Sequence, residues 1–290
     1  MEKNGEVSHT FAMSEFLPPL SRVSDATVNA FLAPCLRRSR WRIYGLQGAV
    51  FIAALLCSLL ADAADCNALV LAQVQAMPAG GRYAANATAL ARFAQAVEVR
   101  DGAICVKPAG TAPNFCSEAT YLVFLKTIAG IRFRPQLEPA VLKALCVVRQ
   151  ADGHGVWGRW NANGPGTARL FYELGLGRNF EDFAQARPGD FMKIFWTREV
   201  GCRERGHSVI YLGSELRGGV EVVRFWSSNL PGGYGEKAVP RTKIAYAVFS
   251  RLEHPEALAR LPGLADADRY LSQLGSEPSS VSEVRTLTGM

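Results

Sequence analysis

The feature that most constrains this chain is a switch of hydrophobic periodicity near residue 188. Before it, apolar residues recur at helical spacing: Leu69, Val70 and Val74, then Leu90, Phe93 and Val97, then Ala119, Leu122, Val123 and Ile128, then Val141, Leu142 and Leu145. After it, Phe191 to Trp196, Gly206 to Leu212, Val220 to Trp226 and Lys243 to Phe249 are rich in β-branched and aromatic residues. Glycine turns such as Pro188-Gly189-Asp190 and Gly218-Gly219 separate them. Helices followed by a run of strands predict the α+β class, with a core helix packed on an antiparallel sheet.

Between these segments, Met77-Pro78-Ala79-Gly80-Gly81 stops a first helix, Ala103 to Val106 reads as a short strand, and Pro108 to Pro113 reads as a loop. Residues 151–166 are rich in glycine and asparagine and predict a loop that carries Trp157 and Trp160. Thr167 is placed to cap a helix ending at Leu174. Helices are expected after Pro255 and over residues 265–274. The organisation expected is a leader over 1–64, an N-terminal helical extension over 65–112, a main domain over 113–275 and a mobile Ser/Thr-rich tail over 276–290.

Arg37, Arg38, Arg40 and Arg42 precede an apolar run from Gly48 to Ala61 that exits through Ala61-Asp62-Ala63-Ala64. A positive flank, a short apolar stretch and small residues at the exit predict a secretory signal peptide over 37–64, and so an exported, periplasmic or extracellular protein. The run is shorter than the roughly 20 residues that span a bilayer, so membrane contact is expected only through an uncleaved signal anchor. Residues 1–36 are long for a leader, and synthesis is expected to begin near Leu36. The net charge of +6 is not gathered into a basic stripe with interleaved aromatics, and no nucleic-acid partner is expected.

Seven cysteines are present, and Cys66, Cys105, Cys116, Cys146 and Cys202 follow the leader. An odd count in an exported chain leaves at least one thiol unpaired even if the other four form disulfides. Cys116 is the candidate, because it opens an apolar helix where unpaired backbone N–H groups and the helix dipole favour a thiolate and a developing oxyanion. Asn114 is placed to cap that helix. His207 begins a strand in which it shares a face with Val209 and Tyr211, and it is the candidate base, with His154 in the Gly-rich loop as the alternative. The third group expected is Asn229, whose amide oxygen can accept from the imidazole N–H, with Ser227 as its alternative. Trp157, Trp160 and Asn163 are expected to shape a substrate cleft. Cys202 and His207 belong to no CxxC or HExxH pattern, and neither a metal nor a cofactor is expected.

Three marks together resemble the papain-fold cysteine peptidases and amidases of the NlpC-like and CHAP-like cell-wall hydrolases. Phe115-Cys116-Ser117 before an apolar helix is similar to their cysteine motif. Arg187-Pro188-Gly189-Asp190-Phe191 is similar to the turn before their first strand, and Gly206-His207-Ser208-Val209-Ile210-Tyr211-Leu212-Gly213 to their histidine strand. Val222 to Asn229, followed by Gly232-Gly233-Tyr234-Gly235, looks like the CHAP strand that supplies the third polar residue. Phe115 stands where NlpC-like members often carry an aspartate. The resemblance implies a papain-like fold over 113–275 and cysteine-dependent cleavage of amide bonds in peptidoglycan peptides, or in another peptide substrate, through a thioester. A non-catalytic wall-peptide-binding module and a thioester-forming acyltransferase are the alternatives.

Overall fold

The computed structural model describes residues 65–148, 150 and 152–290. The expected leader and signal peptide therefore lie outside the described residues. The helices are α1 (Cys66–Gln75), α2 (Ala87–Gln95), α3 (Cys116–Gly130), α4 (Pro139–Ala144), α5 (Gly155–Asn161), α6 (Gly166–Leu174), α7 (Arg269–Gln273) and α8 (Val281–Leu287). The strands are β1 (Gly80–Gly81), β2 (Val97–Arg100), β3 (Ala103–Val106), β4 (Gly177–Phe180), β5 (Phe191–Phe195), β6 (Val200–Gly201), β7 (His207–Arg217), β8 (Val220–Asn229), β9 (Gly233–Pro240), β10 (Tyr246–Leu252) and β11 (Pro278–Ser279).

An antiparallel seven-stranded sheet in the order β1-β9-β8-β7-β5-β10-β4 forms the frame, so the α+β class holds. Helix α3 is buried along nearly its whole length, as expected for a helix that is apolar on all sides. Tyr121, Leu122, Phe124 and Leu125 share a core with Phe191, Ile210 and Trp226 from one face of the sheet. Met192, Ile194, Val209, Tyr211, Val223, Phe225 and Phe249 form a second cluster from the alternate positions. The central strands are thus buried on both faces, which explains why β5 is apolar at every position but Lys193 rather than alternating.

The Pro188-Gly189-Asp190 turn is held from within. Gly189 takes φ +95°, and a Cβ there would stand 2.6 Å from the Asn67 carbonyl oxygen. Fully buried Asp190 accepts from Arg251 Nε at 2.8 Å and Nη2 at 2.7 Å, from Asn67 Nδ2 at 2.8 Å and from the Arg187 amide at 2.7 Å. The motif is a buried, charge-assisted knot that fixes where β5 starts, tying α1 and β10 to it.

Several expectations are corrected. Residues 65–112 are not set apart: Cys66, Val70, Phe93 and Ile104 join the α3 core, and β1 pairs with β9. Residues 151–166 hold helix α5, because Trp157 and Trp160 find apolar partners in Phe93, Tyr121, Phe124 and Phe171. The helix expected from a Thr167 cap begins at Gly166, after Pro165. The tail is not mobile. Strand β11 pairs with β6, Ser280 caps α8 by accepting from the Glu283 amide at 3.1 Å, and Val284 is fully buried. Arg169 Nη1 and Asn179 Nδ2 donate to the Leu287 and Thr288 carbonyls at 2.7 and 2.9 Å. The five described cysteines are all free thiols, so no disulfide is present among the described residues.

Candidate active site

Cys116 is the first residue of α3 and is partly exposed. The helix begins there because Phe115 is extended (φ −143°, ψ 166°) and its amide donates to the Glu118 carboxylate at 3.3 Å, half of a capping box. Asn114 does not cap the helix. Its Oδ1 accepts from Ser228 Oγ at 2.6 Å and its Nδ2 donates to the Gly80 carbonyl at 3.2 Å, which pins the approach to the helix against β8 and β1. The first intrahelical bond runs from the Ala119 amide to the Phe115 carbonyl at 2.9 Å. The amides of Cys116 and Ser117 therefore have no acceptor within the helix and remain available to an oxyanion.

His207 opens β7 opposite Ile194 of β5, and Asn229 closes β8 opposite Gly233 of β9. The Asn229 amide group donates to the Gly235 carbonyl at 2.8 Å and to the Ser227 carbonyl at 3.2 Å. Those two acceptors leave Oδ1 facing the imidazole, 3.1 Å from His207 Nε2. An amide oxygen can only accept, so this network assigns the ring proton to Nε2 and leaves Nδ1 for the thiol. The imidazole also packs edge-on to Phe225, at 5.7 Å between ring centroids, and beside Trp196, at 6.4 Å.

Burial alone would raise the Cys116 thiol. A hydrogen bond to His207, the charges of His207 and Lys193 and a hydrogen bond from the Ser208 backbone outweigh it, and the thiol is pulled down to about 6. Two further groups act on the sulfur, Tyr83 by a hydrogen bond and Lys193 through its charge. Tyr83 hydrogen-bonds to it through its hydroxyl; burial, and then the thiolate, push the phenol well above its usual range. Tyr83 is held there because its amide donates to the Pro231 carbonyl at 2.9 Å while the Asn114 amide donates to the Arg82 carbonyl at 3.0 Å. Lys193 is the other, on the doubly buried β5.

A cleft of about 380 Å³ opens onto Cys116 and is lined by Tyr83, Asn86, Ser117, Asn161, Asn163 and Lys193 among others. Asn163, expected from the sequence, belongs to it. Trp157 and Trp160 do not, because both are at most 1% exposed, and their assignment to a substrate cleft is corrected to core packing. The exposed tryptophan beside the histidine is Trp196, at 41%.

His154 is exposed and bridges Ala267, away from this network. Ser227 is fully buried and donates to the Ser208 carbonyl at 2.6 Å, so it steadies the histidine strand and does not touch the ring. Glu118, in the first turn of α3, is close enough to feel the thiolate. Burial, partly offset by hydrogen bonds from Tyr234, Thr111 and the Phe115 amide, raises its carboxyl to about 8, and the Cys116 charge adds to the rise. Sequence reading missed Tyr83 and Lys193. A lysine inside an otherwise apolar strand was the available sign for the second; nothing local marked the first.

No family model, curated protein or solved structure matches this chain.

Proposed function

We propose that the protein is an exported cysteine-dependent amidohydrolase of papain-like fold that cleaves peptide amide bonds, those of peptidoglycan stem peptides being the substrate class. The observation that carries this reading is the alignment of Cys116, His207 and Asn229, with Asn229 holding the ring so that one nitrogen faces the thiol. A thiolate already formed at neutral pH attacks the amide carbonyl. The oxyanion is received by the amides of Cys116 and Ser117, with the Tyr83 hydroxyl at hand as a further donor. His207 gives its proton to the leaving amine, and water then resolves the thioester with His207 acting as base.

The test is turnover of purified sacculi and synthetic stem peptides by wild type, Cys116→Ala and Cys116→Ser. Loss of fragment release in both variants, with unchanged thermal melting, is expected. Cleavage that persists in Cys116→Ala would overturn the mechanism.

A further inference from the structure

Lys193 is a charge in a place that ordinarily excludes one. It sits at the middle of β5, where all five residues are buried, and is 7% exposed. Its ammonium carries three N–H donors, and one hydrogen bond is made among the described residues, to Ser208 Oγ at 3.2 Å on the facing strand. No carboxylate lies within ion-pair distance of it among the described residues. Burial lowers this ammonium, while the Cys116 thiolate and Glu204 hold it up through space. A buried cation without a paired anion is unfavourable for folding, so its retention calls for a use.

The surroundings indicate that use. Lys193 lines the same cleft as Cys116, and its stem lies against Gly206, where a Cβ would stand 2.7 Å from Lys193 Cε. Only glycine before His207 leaves that path open. In the reactive state the thiolate and the imidazolium balance one another. Glu118, raised to about 8 by burial, is largely uncharged at neutral pH and does not balance Lys193. Arg205 is exposed and Asp152 half-buried at the cleft lining, with opposite signs. Glu204 is half-buried, its carboxylate accepts from the Trp196 and Gly206 amides at 3.3 and 3.0 Å, and it makes no ion pair with Lys193. Lys193 thus stands at the cleft beside the nucleophile with no carboxylate in contact with it among the described residues.

We propose that the cleft receives an acyl group bearing a carboxylate close to the scissile carbonyl, with Lys193 as its counter-charge and specificity determinant. The inference rests on Cys116 being the nucleophile, and it adds the substrate class: an acidic acyl donor rather than a neutral one. A neutral acyl group would leave Lys193 buried without an anion, whereas a carboxylate replaces its lost hydration.

The experiment compares alkylation of Cys116 by iodoacetate and by iodoacetamide in the full chain, read by peptide mapping so that the other cysteines do not contribute. Both reagents attack the same thiolate, so changes in its ionisation cancel in the ratio of rates. The anionic-to-neutral ratio is expected to fall about tenfold in Lys193→Met and to be kept in Lys193→Arg. Should the Met variant lose native melting, Lys193→Gln, which can keep the Ser208 hydrogen bond, is read in its place. A ratio within about twofold of wild type in the neutral variant, the margin set against a charge effect of this size, would overturn the inference while leaving a reactive Cys116 intact. A Cys116 unreactive to both reagents would remove the proposed mechanism and this inference with it.

Discussion

Replacing His207 by alanine tests the thiolate pair most directly, and the magnitude follows from the site. With the thiol at about 6, roughly 90% of Cys116 is ionised at pH 7. Without His207 the sulfur loses a hydrogen bond and the imidazolium charge but keeps its burial. Its midpoint should return to the free-cysteine value of about 8.5 or above, leaving about 3% thiolate at pH 7. The thirtyfold loss of thiolate will not appear in full as a loss of rate. A more basic thiolate is more nucleophilic, and a Brønsted coefficient of about 0.4–0.5 over about 2.5 pH units returns ten- to twentyfold. The rate at pH 7 should therefore fall only about two- to threefold by this reckoning, and the decisive readout is the midpoint. The assay is alkylation of Cys116 by iodoacetamide from pH 4 to 10, mapped to its peptide. A wild-type midpoint near that of free cysteine, or one that does not move in His207→Ala, would refute the assignment of His207 as the partner.

Three other outcomes are expected. Glu118 has a raised folded-state pKa, so its protonated form stabilises the fold at low pH. That contribution is lost as pH climbs from the ordinary carboxylate range to about 8, at up to about 1.4 kcal/mol per pH unit. Glu118→Gln, which can still accept from Tyr234 and the Phe115 amide, should therefore gain on wild type steadily over that window in thermal melts; parallel curves would show that the carboxyl titrates normally. Asp190→Ala strands the buried Arg251 guanidinium and should cost about 3–5 kcal/mol in urea unfolding, and a loss below about 1 kcal/mol would contradict the knot described above. Trp157→Ala should cost about 3–5 kcal/mol of stability while leaving the alkylation midpoint of Cys116 in place, and a shifted midpoint with unchanged stability would return Trp157 to the cleft.

Much of the frame was legible because its causes are local. The 3.6-residue spacing in 116–130 and the β-branched runs after 188 depend on near neighbours, and a helix and strands form there, although β7 runs on to Arg217, β8 to Asn229, and β10 begins only at Tyr246. Elements supported only by distant contacts were missed. Strand β9 carries three glycines, prolines and charges in its run and its turn, and it exists because β8 offers a full ladder from Val222 to Asn229. The polar segment over 276–290 reads as solvated, yet Ser280 caps α8, and Asn179 and Arg169 donate to the carbonyls of Thr288 and Leu287 at its end. Glycine and asparagine over 151–166 marked a loop, and two buried indoles made a helix of its centre.

The amino-acid sequence by itself determined the α+β class, the thiol at the start of an apolar helix and the imidazole and amide at the ends of neighbouring strands. Those follow from periodicity and turn chemistry, which act over a few residues. Tertiary structure decided which groups meet. The order of the sheet brought Asn229 rather than Ser227 to His207, the approach of β1 set Tyr83 on the sulfur, and packing on both faces of β5 buried Lys193 beside it. Burial and electrostatic environment belong to the assembled fold, since they depend on residues more than a hundred positions apart, as where Ser228 bonds Asn114.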